Sequence, residues 1–112
     1  MQDRALKLVK DVADAASFIL EQTEDATFES YESNRLLRHA VERNFEIIGE
    51  AVDHLRKVDP ATAALITDAD RIVAFRNVLS HGYSLIDNTH VWKVIIHALP
   101  KLLTEVQNLI DR

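Results

Sequence analysis

The sequence predicts an all-α protein, an up-and-down bundle of four helices with one or two extra short helices. Apolar residues recur at spacings of three and four along four stretches, which places them on one face of a helix. The chain has only two glycines and two prolines, too few for the turns of an all-β protein. Short polar connections between the four stretches are typical of a bundle of neighbouring helices.

Length and composition indicate the class of protein. With 112 residues, 47% of them hydrophobic and 28% charged, the chain is expected to be one folded domain over residues 1–112. It has no apolar run of about 18 residues, so no membrane span is predicted, and its first residues do not resemble a signal peptide. Because the sequence has no cysteine, disulfides and thiolate metal sites are excluded. We therefore expect a cytoplasmic protein.

The net charge of −5 bears on the partners. It argues against a protein that coats nucleic acid, because such proteins are usually basic. It is compatible with an enzyme that cuts RNA, since a local positive cleft can bind phosphate on an acidic body. The same balance also favours a bundle that binds a partner without catalysing a reaction.

The first two long helices are predicted from about Asp3 to Glu21 and from about Ser33 to Val58. Between them, residues 22–30 form a loop or a short helix, with Phe28 and Tyr31 as anchors on the bundle. The apolar stripe of the second helix covers roughly half of its circumference, more than one neighbour requires. This width predicts packing against two helices or against a second subunit.

Polar residues of the second helix have alternative interpretations. Asn44 lies near the middle of the apolar stripe, where an amide needs a hydrogen bond. It either bonds to a neighbouring backbone group or supports the motif described below. A row of carboxylates on the other face is expected to be solvated, and it comprises Glu42, Glu46, Glu50 and Asp53. The sequence contains no Glu-x-x-His, which a di-metal site in a bundle would need.

Two further helices complete the bundle. Asp68 is predicted to cap the third helix, and the fourth follows a loop at residues 84–88. Pro100 lies inside the fourth helix and should kink it, because its ring clashes with the carbonyl four residues earlier. His90 and His97 lie opposite the apolar stripe, so we expect surface histidines and no metal pair.

The end of the third helix carries the residues with chemical potential, in the octapeptide R-N-V-L-S-H-G-Y that begins at Arg76. Arg76 lies in an apolar stripe, where arginine is rare unless it meets a partner or an interface. Asn77 precedes His81 by four residues, so its amide can orient the imidazole. Gly82 can end the helix because it lacks a Cβ, and Tyr83 follows it.

With its R-x4-H-x-Y pattern, the octapeptide resembles the signature of HEPN-domain ribonucleases, specifically the HepT-like toxin family. The stretch from Val41 to Ala51 looks like that family's second helix, and the resemblance covers the chain in length and helix order. It implies the same bundle fold and a homodimer with its active cleft between the subunits. It also implies that an MNT-type nucleotidyltransferase antitoxin adds AMP to Tyr83, and the added phosphate would block RNA.

Metal-independent cleavage of RNA requires a base, an acid and a cation that stabilises charge on the phosphoryl oxygens. Imidazole titrates near neutral pH, so His81 suits proton transfer. Arg76 presents a fixed fork of donors that matches phosphate. A symmetric dimer would supply the second histidine that a separate acid and base require. We therefore predict an endoribonuclease without cofactor or metal, with Arg76 and His81 catalytic and Asn77 and Asn44 supporting them.

Two alternatives stay open. Arg76 could form an ion pair at an interface, with a carboxylate of the second helix as its partner. His81 would then be a residue at a helix C-terminus, where the negative end of the helix dipole favours a cation. The second alternative is a non-catalytic bundle of this type that binds a nucleotidyltransferase partner or a nucleotide.

Overall fold

The longest helices, α1 at Asp3–Thr23 and α3 at Arg35–Val58, form the centre of a helical bundle. The fold is that of a computed structural model, which describes residues 1–81 and 86–112. The remaining helical elements are α2 (Phe28–Ser33), α4 (Pro60–Ala63), α5 (Ala69–His81), α6 (Asn88–Lys93), a π-helical segment (Val94–Ala98) and α7 (Leu99–Ile110). Over those two ranges the chain forms no strand, and the predicted all-α bundle with extra short helices is confirmed.

One continuous core connects the long helices. α3 packs against both α1 and α5, and α1 also packs against α7. Side chains with no exposed surface come from α1, α3 and α7, and they include Val12, Leu55 and Val106. Full burial of such a side chain contributes about 1.5–3 kcal/mol. The two helical neighbours of α3 explain its broad apolar stripe.

Side-chain caps fix where the helices begin. The side-chain oxygen of Asn34 accepts a hydrogen bond from the backbone N–H of Leu37 at 3.0 Å, which starts α3 close to its predicted start. Asp59 starts α4 in the same way and accepts from the N–H of Thr62 at 3.1 Å. Hydrogen bonding to Thr62 lowers the pKa of the Asp59 carboxyl. The polar connections of the sequence therefore act as caps.

The fourth predicted helix is irregular around Pro100. The sequence predicted a kink there, and the chain forms the π-helical segment Val94–Ala98 just before the proline, a kind of irregularity at which helices often kink. A π-helical turn uses i→i+5 hydrogen bonds, so the ladder shifts at the place where proline has no N–H to donate. The proline thus lies in the first turn of α7.

Candidate functional site

Helix α5 places Arg76 directly on the backbone of α3. Gly49 of α3 makes this approach possible, since a Cβ at that position would overlap the Arg76 Cβ and lie 2.6 Å from its Cγ. The aliphatic stem of the arginine therefore occupies the space that any other residue at Gly49 would fill. Among the side chains of α5, that of Leu79 is buried in the core.

The guanidinium of Arg76 is fixed by two polar partners. Its Nη1 donates to the Asn77 Oδ1 at 3.1 Å, and its Nη2 lies 3.5 Å from the Glu50 Oε1. The Nε is buried and has no hydrogen-bond partner within the described ranges. The arginine side chain stays 30% exposed, so its head group reaches the surface. This is the ion pair with a carboxylate of the second predicted helix, and it forms within one chain.

The carboxylates of α3 take part in these contacts. Glu46 accepts a hydrogen bond from the Ser80 hydroxyl at 3.3 Å and lies 3.8 Å from the Arg43 Nη1. The same Nη1 is 3.9 Å from the Glu50 Oε1. Of the four carboxylates that were expected to be solvated, only Glu50 is exposed. The solvated interpretation was wrong for Glu46, because this face of α3 packs against α5.

His81 is the last residue of α5, and it is exposed. The amide oxygen of Asn77 accepts from Arg76, and no hydrogen bond joins Asn77 to His81 within the described residues, so its support of the imidazole stays a prediction. Gly82 and Tyr83 lie outside the described residues.

Asn44 is half-buried and satisfied within its own helix. Its Nδ2 donates to the carbonyl of Ala40 at 2.8 Å, which is the first of the two interpretations of this residue. Across residues 1–81 and 86–112, no hydrogen bond connects Asn44 with Arg76 or His81. Its support of the motif stays a prediction.

Residues 1–81 and 86–112 contain no group of three or more His, Asp and Glu side chains that could hold a metal ion. Each helix in these ranges is too short or too polar to cross a bilayer.

His90 and His97 are exposed, as predicted. The His90 ring packs edge-on against Phe75, with 5.4 Å between the ring centres.

A cavity of about 200 Å³ lies apart from the motif, between α3, α5 and α7. Phe45, Phe75 and Leu99 line its apolar walls, and neither Arg76 nor His81 contributes to it. The cavity exists because α5 packs closely against α3 and leaves a gap towards α7. The candidate site is therefore a surface at the end of α5 and not this cavity.

The role of Gly49 was not predicted from the sequence, and the carboxylate that pairs with Arg76 was left as one of the four on the second helix. A signal was present, because glycine inside a helix costs about 1 kcal/mol relative to alanine. A single glycine within the 24 residues of α3 therefore indicates a close approach by another element. The pairing of Glu50 with Arg76 could not be seen from periodicity alone.

The comparisons with known proteins agree with this motif. Residues 12–109 match the model of a family described as "Ribonuclease HepT-like". The chain is 32% identical over 97 residues to "Putative RNase MJ1380" of Methanocaldococcus jannaschii, which covers 87% of this chain and 88% of that protein. It is 25% identical over 104 residues to "Putative RNase TTE0752" of Caldanaerobacter subterraneus subsp. tengcongensis, covering 93% and 92%. No solved structure matches the chain.

Proposed function

The chain belongs to the HepT-like ribonuclease family, and we propose that it is an endoribonuclease that cuts single-stranded RNA without a metal. Arg76 and His81 are the catalytic residues, at a cleft shared by two subunits. The observation that carries this proposal is the end of α5, where an anchored guanidinium reaches the surface and an exposed imidazole follows five residues later. We further propose a cytoplasmic toxin whose antitoxin is an MNT-type nucleotidyltransferase.

Arg76 binds the scissile phosphate in this proposal. Guanidinium has five N–H donors, and its contacts to Asn77 and Glu50 leave several of them for phosphoryl oxygens. The carboxylate of Glu50 is 46% exposed, and such a surface ion pair contributes only about 0–1 kcal/mol. Replacing that contact by a phosphate therefore costs little.

His81 transfers the protons. The neutral imidazole takes the proton of the 2′-hydroxyl, whose oxygen then attacks phosphorus. The bond from phosphorus to the 5′-oxygen breaks, and a protonated His81 of the second subunit donates a proton to that oxygen. The products are a 2′,3′-cyclic phosphate and a free 5′-hydroxyl. Arg76 stabilises the charge on the phosphoryl oxygens in the transition state.

Exposed apolar residues support the shared cleft. Val78 of α5, two residues from Arg76, is 52% exposed, and Leu36 of α3 is 83% exposed. Apolar surface beside a functional motif is typical of a surface that contacts another chain. A two-fold dimer through this surface would bring two copies of His81 to one groove.

Tyr83 is the proposed site at which the antitoxin adds AMP. It follows His81 by two residues, so the added phosphate would lie close to the catalytic pair. Its negative charge would compete with RNA for Arg76. The family resemblance is the support for this role.

The test is cleavage of a fluorescent single-stranded RNA in EDTA, with unmodified Tyr83 confirmed by mass spectrometry. We expect His81→Ala to lower the rate by about 10²–10⁴ and Arg76→Ala by about 10²–10³. Both variants should keep the helical circular dichroism signal, because His81 is exposed and the ion pair of Arg76 is weak.

Glu50→Gln is the matched control for Arg76→Ala. Both substitutions break the same ion pair, but only the second removes the cation. If Arg76 mattered solely as an ion-pair residue, the two variants would lose the same activity, which would contradict its catalytic role. Cleavage that persists in His81→Ala would contradict the mechanism, and inhibition by EDTA would reveal a metal requirement.

Two further outcomes decide the class of function. If the unmodified protein cuts no RNA, the non-catalytic binding bundle replaces the nuclease, an outcome that the acidic net charge favours. If light scattering shows only monomer at micromolar concentration, the shared cleft is wrong. Cleavage by a stable monomer would then require the acid and the base to come from one chain.

A further inference from the structure

The first nine residues of α3 carry a cluster of basic side chains that the proposed reaction leaves unused. We name it the basic strip, and it consists of Arg35, Arg38, His39 and Arg43. Arg38 is half-buried and the other three are exposed. In a chain with a net charge of −5, this concentration of cations is a local exception.

The basic strip continues from the candidate site. Arg43 Nη1 and Arg76 Nη2 approach the same oxygen of Glu50, at 3.9 Å and 3.5 Å. Gly49 is opposite Arg76 and Glu46 contacts Ser80, so α3 and α5 run antiparallel. The C-terminal end of α5 therefore lies towards the N-terminal end of α3, where Arg35 is. At about 1.5 Å per residue, the eleven residues from Glu46 back to Arg35 span about 16 Å, the length of a few nucleotides.

Arg43 pairs with Glu46 and Glu50 of its own helix, but Arg35 and Arg38 do not stabilise the start of α3 in this way. A cation near a helix N-terminus opposes the positive end of the dipole, at a cost of about 0.3–1 kcal/mol. The first turn of α3 contains no acidic residue to compensate for this charge. Within the described ranges, neither Arg35 nor Arg38 forms an ion pair, and the buried Arg38 Nε has no partner.

One carboxylate lies within the strip. Glu42 is half-buried, and burial raises the pKa of its carboxyl, while His39 and Arg38 lower it. The acidic group is thus withdrawn from solvent, whereas Arg35 and Arg43 are exposed. The side chains of Arg35 and Arg43 therefore reach solvent more fully than the one carboxylate that lies among them.

We propose that the basic strip binds the phosphate backbone of the RNA on one side of the scissile phosphate and guides the strand to Arg76 and His81. This inference rests on the proposed function. Contacts to phosphates position a strand without reading its sequence, which suits a row of flexible arginines. The strip also explains how an acidic protein can bind a polyanion, because the positive charge is local.

The test uses the double variant Arg35→Gln/Arg38→Gln in a His81→Ala chain, which should not cut the probe. Fluorescence anisotropy measures binding of a labelled single-stranded RNA at several salt concentrations. Each phosphate contact on a single strand contributes about 0.7 to the slope of log K against log salt. We expect the slope to fall by about 1.4 and the affinity by on the order of tenfold.

Lys7→Gln/Lys10→Gln is the matched control. It removes the same two charges from exposed positions of α1, which packs against α3 and α7. Its salt slope should equal that of the parent. Equal weakening by both double variants would reduce the effect to net charge and overturn the strip. If the first double variant fails to fold, the single variant Arg35→Gln, at an exposed position, should lower the slope by about 0.7.

Cleavage assays with His81 intact separate this inference from the proposed function. We expect the strip variant to raise KM with little change in kcat, as loss of uniform binding does. If the parent cuts RNA and the strip variant binds it equally well, the strip is overturned and the nuclease stands. If neither the parent nor the strip variant cuts RNA, but the strip variant binds RNA more weakly than the parent does, the nuclease proposal fails and the strip proposal stands.

Two outcomes would reassign the strip to another surface. A strip variant whose mass falls in light scattering would place these arginines in a subunit contact. A strip variant that binds RNA normally but loses a purified nucleotidyltransferase partner would place them in a protein interface. Either result overturns the proposal.

Discussion

α1 and α5 both pack against α3, but different interactions fix them there. α1 buries seven residues, and Val9, Val12 and Ile19 have no exposed surface. α5 buries only Leu79 among its thirteen residues. α5 adds partly buried apolar side chains, the close approach to Gly49 and three polar contacts with α3, which are Arg76 to Glu50, Ser80 to Glu46 and Asp70 to Arg56. Full apolar burial thus dominates the packing of α1, whereas α5 combines partial apolar burial with a steric fit and polar contacts.

A leucine-to-alanine substitution in the core between the long helices and another in α5 test this comparison. Leu55→Ala removes a fully buried side chain between the central helices and should cost about 2–5 kcal/mol of unfolding free energy. The loss of unfolding free energy for Leu79→Ala should lie at the low end of that range, because α5 can shift into the cavity that the substitution creates. Urea unfolding measures both values.

The order of these two variants should reverse when the rate of RNA cleavage is measured. The folded fraction of Leu55→Ala is expected to cut RNA at the parent rate, since its site is intact. Leu79→Ala should lower the rate of folded protein, because α5 carries Arg76 and His81. An equal loss of stability with no difference in activity would show that α5 belongs to the scaffold after all.

The next largest effect is expected for Gly49→Ala, which disturbs the close fit between α3 and the Arg76 side chain. The new methyl group would overlap the Arg76 stem, so α5 must move away from α3. We expect a loss of about 1–3 kcal/mol by overpacking, although alanine alone would favour the helix by about 1 kcal/mol. Cleavage should fall further than stability, because a displacement of about 1 Å can cost about 10² in rate.

A double variant shows whether the clash causes this loss. In an Arg76→Gly chain the Cβ and Cγ that meet the new methyl group are absent. Gly49→Ala should then stabilise the protein by up to about 1 kcal/mol, as helix propensity predicts. If it destabilised both backgrounds equally, the close approach would not explain why glycine occupies this position.

The scaffold was predictable from sequence because burial leaves a periodic pattern. The predicted α3, from about Ser33 to Val58, agrees with the observed Arg35–Val58. The third helix and its arginine were also placed correctly. The π-helical segment before Pro100 was not, because proline permits several local solutions and only packing selects one.

The polar contacts of the site were less predictable. Glu46 and Glu50 have the spacing of a solvated face, and periodicity cannot distinguish water from a polar neighbouring helix. Asn77 had two partners within reach, and its side-chain conformation selected Arg76 over His81. The placement of Arg76 and His81 at the end of α5 followed from sequence, and the partners of Arg76 required the structure. Their catalytic roles stay predictions.

The smallest expected effect concerns a polar group inside the scaffold. Tyr31 of α2 is fully buried and packs on Trp92, with 5.5 Å between the ring centres. Its hydroxyl has no hydrogen-bond partner in the part of the chain that the structure describes. A buried hydroxyl without a partner is destabilising. Tyr31→Phe should therefore raise the unfolding free energy by up to about 1 kcal/mol at pH 7.

The effect of Tyr31→Phe should grow at high pH. Burial raises the pKa of the Tyr31 phenol above its ordinary value, and the nearby Glu42 carboxylate adds to this. Above pH of about 10 the phenol ionises in the unfolded chain but not in the folded one, so the parent loses stability as pH rises. The phenylalanine variant avoids this loss, and urea unfolding at pH 7 and at higher pH measures the widening difference. A variant less stable than the parent at pH 7 would show that the hydroxyl has a partner, and the scaffold would then depend on polar contacts as α5 does.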